Sequence, residues 1–245
     1  MIIKRYHGDM TNLTMDQIRQ LNTYSVYLDT PATKLFTLEN LLDANQTEDA
    51  LLAVLAISNS PNKTVAASYF LRRMGMFSAM QFYNLTAYDE VWDGTPDRLV
   101  FGAKEEYGKI AISMFAHAED WQYVEEEARH IVMKQILSQQ CDAVIRKIRT
   151  VANISTLTLW ENIFGFLLWH YHVLLENPST AEVARADLDI LKDDTLWEGI
   201  APHSLFAAYL KDNNPSALLN TTVRTTCCLS KDVPGLLQCG FCPSK

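Results

Sequence analysis

This chain is short of positive charge: 21 Lys and Arg stand against 29 Asp and Glu, giving a net charge of −8. That balance argues against a general nucleic-acid or anionic-membrane binder, which would need a basic excess. Long apolar runs are missing as well. The longest, Ile163 to Leu175, carries His170 and His172. It is shorter than the roughly 20 apolar residues that a bilayer-spanning helix needs, so no transmembrane segment is expected. The start, Met1 to His7, lacks the apolar core of a signal peptide. G-x-G-x-x-G, P-loop, H-E-x-x-H and G-x-S-x-G patterns are absent, as are internal repeats and low-complexity tracts. Scattered carboxylates and serines suggest no triad or acid pair. Cysteine is scarce until the very end, where Cys141 is the single one before residue 227. A soluble protein of the reducing cytoplasm is the expectation.

What is present is an ordinary globular composition, 48% hydrophobic and 20% charged, over 245 residues. Thr14-x-x-Gln17 is a capping box opening a helix over Met15 to Leu21. Thr37 and Thr47 can cap helices to Ala44 and to about Ser58. Lys63 to Tyr88 has a helical apolar stripe interrupted by Arg72 and Arg73. These two arginines read either as an anion-binding pair for a carboxylate-bearing ligand or as a solvated face paired with a local acid. Arg98–Phe101 and Lys109–Met114 predict an antiparallel hairpin around Gly102–Gly108, with Tyr24–Leu28 as its partner strand. Trp121 to Thr150 predicts one long helix, with His130 as a ligand-site candidate or a surface or partly buried histidine and Cys141 as a small hydrophobe. Thr156 or Thr158 caps a buried helix through Leu159 to Leu175. His170 and His172 on it are two apart and so do not share a face as an i, i+4 metal pair would. Ser179-x-x-Glu182 predicts a further capping box. The expected fold is mainly α with a small antiparallel β-hairpin or sheet (α+β). Residues 1–118 form an N-terminal helical and hairpin region, and residues 119–245 a helical region ending in the tail, either as two units or as one continuous domain.

The chemistry sits in that tail. Four of the five cysteines fall within sixteen positions as C-C-x10-C-x2-C: Cys227, Cys228, Cys239 and Cys242. For neighbouring cysteines to serve one site their backbone must turn, because adjacent side chains diverge in strand and helix alike. Val233-Pro234-Gly235 supplies a turn between the halves, and Gly240 permits a positive φ that would aim backbone N–H groups at a thiolate. Thiolates suit zinc or iron–sulfur iron. Spacing alone leaves both open, although structural zinc sites are usually built from two spaced pairs.

The run Val223-Arg224-Thr225-Thr226-Cys227-Cys228, with Pro234 in the spacer and Cys239-Gly240-Phe241-Cys242-Pro243 after it, resembles the C-terminus of FhuF-type ferric-siderophore reductases. A second, weaker echo is Leu159-Trp160-Glu161-Asn162, where that family tends to show Leu-Trp-x-Asn. The resemblance covers roughly the last 25 residues. It implies that the four cysteines hold one 2Fe-2S cluster. It further implies a cytoplasmic oxidoreductase that passes one electron to an Fe(III)-siderophore, of hydroxamate type, and releases Fe(II). No flavin or nicotinamide motif appears, so an external donor such as a ferredoxin is implied. Trp160 and Asn162 are the candidate substrate wall. Arg224 is a candidate to raise the cluster potential or attract an anionic substrate, or a local salt-bridge partner. Two alternatives stand: a zinc-stapled binding or scaffold protein, and an iron–sulfur carrier or sensor without siderophore chemistry.

Overall fold

The computed structural model describes residues 13–243. The expectation of a mainly α chain with a little β structure is met. In chain order the helices are α1 (Met15–Thr23), α2 (Leu38–Leu42), α3 (Thr47–Ser58), α4 (Lys63–Tyr88), α5 (Arg129–Gln135), α6 (Ala143–Val151), α7 (Thr156–Glu176), α8 (Ala181–Lys192), α9 (Leu205–Leu210) and α10 (Pro215–Leu218). The strands are β1 (Val26–Tyr27), β2 (Thr33–Thr37), β3 (Glu90–Trp92), β4 (Val100–Glu106), β5 (Lys109–Phe115) and β6 (Trp121–Tyr123). Among the described residues, no helix is long and apolar enough to cross a membrane.

Local chemistry explains most boundaries. Thr14 and Gln17 form a reciprocal capping box on α1, and Thr37 with Asn40 does the same on α2. Asn62 caps α4 by accepting from Val65 N, and Asp89 ends that helix in the left-handed region. Tyr107 and Gly108 both have positive φ, which makes the two-residue turn that right-twisted strands prefer. The hairpin therefore runs through Glu106, and the segment expected as a loop is mostly strand.

Four local readings need correction. Trp121–Tyr123 is not helical but pairs with β3, antiparallel, in the register Trp92 with Trp121. Helix begins only at Arg129, and a π-helical segment, Ile136–Asp142, interrupts it. Ser155, not Thr156 or Thr158, caps α7. The Ser179 capping box is absent, because Thr180 precedes α8 and its hydroxyl instead donates to Leu174 O. Residues 24–28 do supply the partner strand, but β1 lies parallel to β5, so the four-stranded sheet, in the order β1-β5-β4-β2, is mixed.

Two aromatic clusters flank the central helix pair α4 and α7. Phe36, Phe70 and Phe101 join the sheet to α4. Trp160, Phe164, Trp197 and Phe206 join α7 to α9 and to the 3₁₀ turn Asp194–Trp197. Gly75 lets the two helices approach closely, since a Cβ there would lie 2.9 Å from Asn162 O and Ile163 Cα. A buried charge network ties α4, α5 and α8 together: Arg129 donates to both oxygens of Asp187 and to Asp89, and Thr86 Oγ1 donates to Asp187.

Candidate metal centre

The cysteine tail lies against the paired faces of α4 and α7 and is held there by buried polar groups. Glu161, in the middle of an apolar helix, is 2% exposed. Its carboxylate accepts the backbone N–H groups of Thr225 (2.7 Å) and Thr226 (2.9 Å), the two residues before Cys227. Arg224 lies 3.8 Å from the same carboxylate. Its guanidinium also donates to Glu161 O (3.0 Å), Thr158 O (3.4 Å) and Thr226 O (3.1 Å). A carboxylate in an apolar wall is costly unless paired and hydrogen-bonded, and here it is both.

The next link comes from α4. Ser68 Oγ donates to Cys228 O (2.6 Å), and Asn162 Nδ2 donates to both Ser68 O and Ser68 Oγ at 2.9 Å. Arg72 donates to Ser230 Oγ. Leu229, at φ 54°, provides the turn after the adjacent cysteines, and a short 3₁₀ turn over Ser230–Asp232 follows. The positive φ expected at Gly240 is found instead at Gly235, φ 76°, whose carbonyl accepts from Lys109 Nζ (2.6 Å).

Of the four sulfurs, Cys228 and Cys239 form a hydrogen-bonded pair. Cys227 Sγ accepts from Leu229 N (3.4 Å), and Cys242 Sγ accepts from Gln238 Nε2 (2.9 Å). Among the described residues, no three His, Cys, Asp or Glu side chains are gathered as a metal-holding group. The hydrogen bond from Cys239 holds the Cys228 thiol well below its usual range. The Ser230 amide and the charges of Arg72 and Arg224 add to that effect against the opposing cost of burial. Cys239, the donor of that bond, is pushed the other way by the bond and by burial. Cys141 stands apart: buried beside Ser78, its thiol is pushed up to about 12 by desolvation. It is an inert core residue.

A thiolate-bound metal group suits this donor set. Four soft donors lie within one short segment, two guanidinium groups offset thiolate charge, and backbone amides point at Cys227 and Cys228. Tyr209 adds an unpaired donor. Its hydroxyl is buried with no partner among the described residues, and it faces Gly165 beside Phe241. An orphan of this kind calls for a partner.

The remaining candidates fall into place around the tail. Trp160 is 1% exposed and forms part of the aromatic core, while one of its edges lines a cavity of about 370 Å³ with Tyr209, Val223 and Thr225. Asn162 is buried, bonded to Ser68, with its Oδ1 unpaired among the described residues. Arg73 pairs with Glu106 at 2.7 Å, the local acid that was one of its two readings. Arg72 and Arg73 both face a larger cleft beside the tail. His170 is buried between Tyr24 and Tyr83 with Nδ1 on Phe166 O, His172 meets Ser216, and His130 is half-buried; none joins the cysteines. Glu161, Ser68 and Tyr209 were not singled out from the sequence. For Glu161 the signal was available: an acid in an otherwise apolar buried helix must find partners.

No protein-family model matches the chain, and no curated protein matches it.

Proposed function

We propose that this protein is a ferric-siderophore reductase whose tail cysteines Cys227, Cys228, Cys239 and Cys242 hold a 2Fe-2S cluster. One observation carries the reading. The two stretches that resemble the FhuF-type family, Leu159–Asn162 and Arg224 with the adjacent cysteines, lie 65 residues apart between Leu159 and Arg224 (224 − 159) in the sequence. In the fold they meet. Glu161, Asn162 and Arg224 together anchor the Cys227–Cys228 turn. This proximity supports reading the two stretches as parts of one site.

The chemistry is a one-electron transfer. When bound, the cluster supplies a low-potential single-electron relay. Chelated Fe(III) gains the electron and becomes Fe(II), which hard hydroxamate and carboxylate oxygens hold less tightly. The freed ligand oxygens take up protons as Fe(II) leaves. An external one-electron donor of ferredoxin type replaces the electron. The chain's own residues fix the tail to rigid helices, and Arg72 and Arg224 place positive charge beside the thiolates.

Anaerobic purification tests the reading. The expected protein is brown, with two irons and inorganic sulfide, and its reduced visible and EPR spectra return to the oxidised form on adding ferric hydroxamates while a chelator traps Fe(II). Colourless protein carrying stoichiometric zinc would replace the reading with a zinc-stapled scaffold. A cluster that ferric chelates do not reoxidise would leave an electron carrier or sensor.

A further inference from the structure

Beside the tail opens a cleft of about 610 Å³, within the size range of small-molecule sites. One wall is the spacer between the two cysteine pairs, through Val233, Pro234 and Leu236. The facing wall is α4 and the tip of the β4–β5 hairpin. The charged side chains lining it are Arg72, Arg73, Lys109 and Glu106.

These charges do not cancel. Burial works against ionised Glu106, but the charge and hydrogen bond of Arg73, with further bonds from Ser113 and Ser25, hold its carboxyl below the ordinary range. Arg73 and Glu106 therefore form a closed, neutral pair, and Arg73 Nε is also spent on Ile112 O. Arg72 and Lys109 are different. Among the described residues neither has a carboxylate partner. Among those residues each makes one hydrogen bond, and both go to the tail: Arg72 to Ser230 Oγ and Lys109 to Gly235 O. A guanidinium has five N–H donors and an ammonium three, so both keep donors free. Two cations on a cleft in an acidic protein, anchored to the segment that carries the thiolates, is an arrangement that selects ligand charge.

We infer that this cleft binds an anionic ferric chelate, with Arg72 and Lys109 holding carboxylate that lies outside the iron shell, so that the bound complex shares a wall with the cysteine tail. The inference rests on the reductase reading and narrows it from ferric hydroxamates in general to those bearing net negative charge. Arg72 links the two regions, since it lines the cleft and holds Ser230.

A charge series on one chelator tests it. The probes are the Ga(III) complexes of desferrioxamine B with its free amine cationic, acetylated to neutral, or succinylated to anionic. Ga(III) is not reduced, so binding to the anaerobically purified full chain is read by equilibrium dialysis without turnover. The expected order is anionic over neutral over cationic, with about a tenfold span at low ionic strength that narrows in high salt. Lys109→Glu, at an exposed hairpin end, should weaken the anionic complex about tenfold and leave the cationic one no weaker. Equal binding of the three complexes, no binding of any, or indifference to Lys109→Glu overturns the inference. Failure of the reductase reading shows elsewhere, as a missing iron–sulfide spectrum or an absence of Fe(II) release.

Discussion

Glu161 carries more of the tail than any cysteine does. It accepts two backbone amides and faces the buried guanidinium of Arg224. Replacing it with Ala leaves both amides and the cation unanswered in an apolar wall. Glu161→Ala is expected to destabilise the fold by about 3 kcal/mol or more, read by denaturant unfolding, and to speed alkylation of Cys228 by a thiol reagent. Cys141 supplies the internal control. With its thiol buried and pushed up to about 12, it should resist alkylation at neutral pH in native protein, and Cys141→Ser should leave metal content unchanged. An equal loss of metal in Cys141→Ser and in Cys228→Ser would falsify the ligand assignment. His170 gives a pH signature. Desolvation lowers its pKa from 6.5 to about 4, only partly offset by its bond to Phe166 O. The unfolded chain therefore takes the proton first. Stability should be complete above about pH 6.5 and fall as the pH drops toward 4, by at most about 3 kcal/mol from this group. Denaturation midpoints of the parent and His170→Gln across that window check it, and a variant with the same slope removes His170 as the cause.

At the scale of elements, the α4–α7 contact decides whether the clamp can form. Gly75 touches α7 at Asn162 and Ile163, about two turns along α4 from Ser68, which Asn162 holds against the tail. Gly75→Ala should push the helices apart and cost about 1–3 kcal/mol, despite alanine's better helix propensity. A stabilised Gly75→Ala protein would show that the helices are free to separate. The same pair shows what the sequence makes legible. Helix α4 was readable to the residue, because its apolar stripe recurs at helical spacing from Val65 to Tyr83, broken only by Arg72 and Arg73. The segment from Trp121 was misread because its strand exists only through pairing with β3, a contact about 30 residues distant that no local pattern encodes. The Gly102–Gly108 stretch was expected as the connection of the hairpin, but strand pairing runs on to Glu106. Its Glu106 in fact serves four partners, Ser25, Tyr27, Arg73 and Ser113, inside the fold. The cysteines announced themselves by spacing. Of the groups that hold them only Arg224 and Asn162 were singled out, since Ser68 and Glu161 join them only when α4, α7 and the tail come together.

Across the whole molecule, the tail is part of the core rather than an appended finger. Val223 and Val233 belong to the same hydrophobic cluster as Trp160 and Phe70, and Cys228 and Cys242 are themselves buried. Metal binding and tail packing can therefore be separated by experiment. Ending the chain at Asn220 removes the partners of Glu161 and uncovers apolar surface on α4 and α7. Replacing all four tail cysteines with serine removes the soft donors but leaves Arg224, Val223 and Val233 in place. Measured without metal, the truncated chain should unfold at clearly lower denaturant than the four-serine chain, by about 3 kcal/mol, because only truncation strands a buried carboxylate. With metal, the parent should rise above the four-serine chain, since a ligand bound only by the folded state adds its binding free energy to stability. If truncation cost no more than the serine replacements, Glu161 and Arg224 would not be anchoring the tail. The resemblance would then be a matter of sequence alone, with no mechanical link between the helix motif and the cysteines.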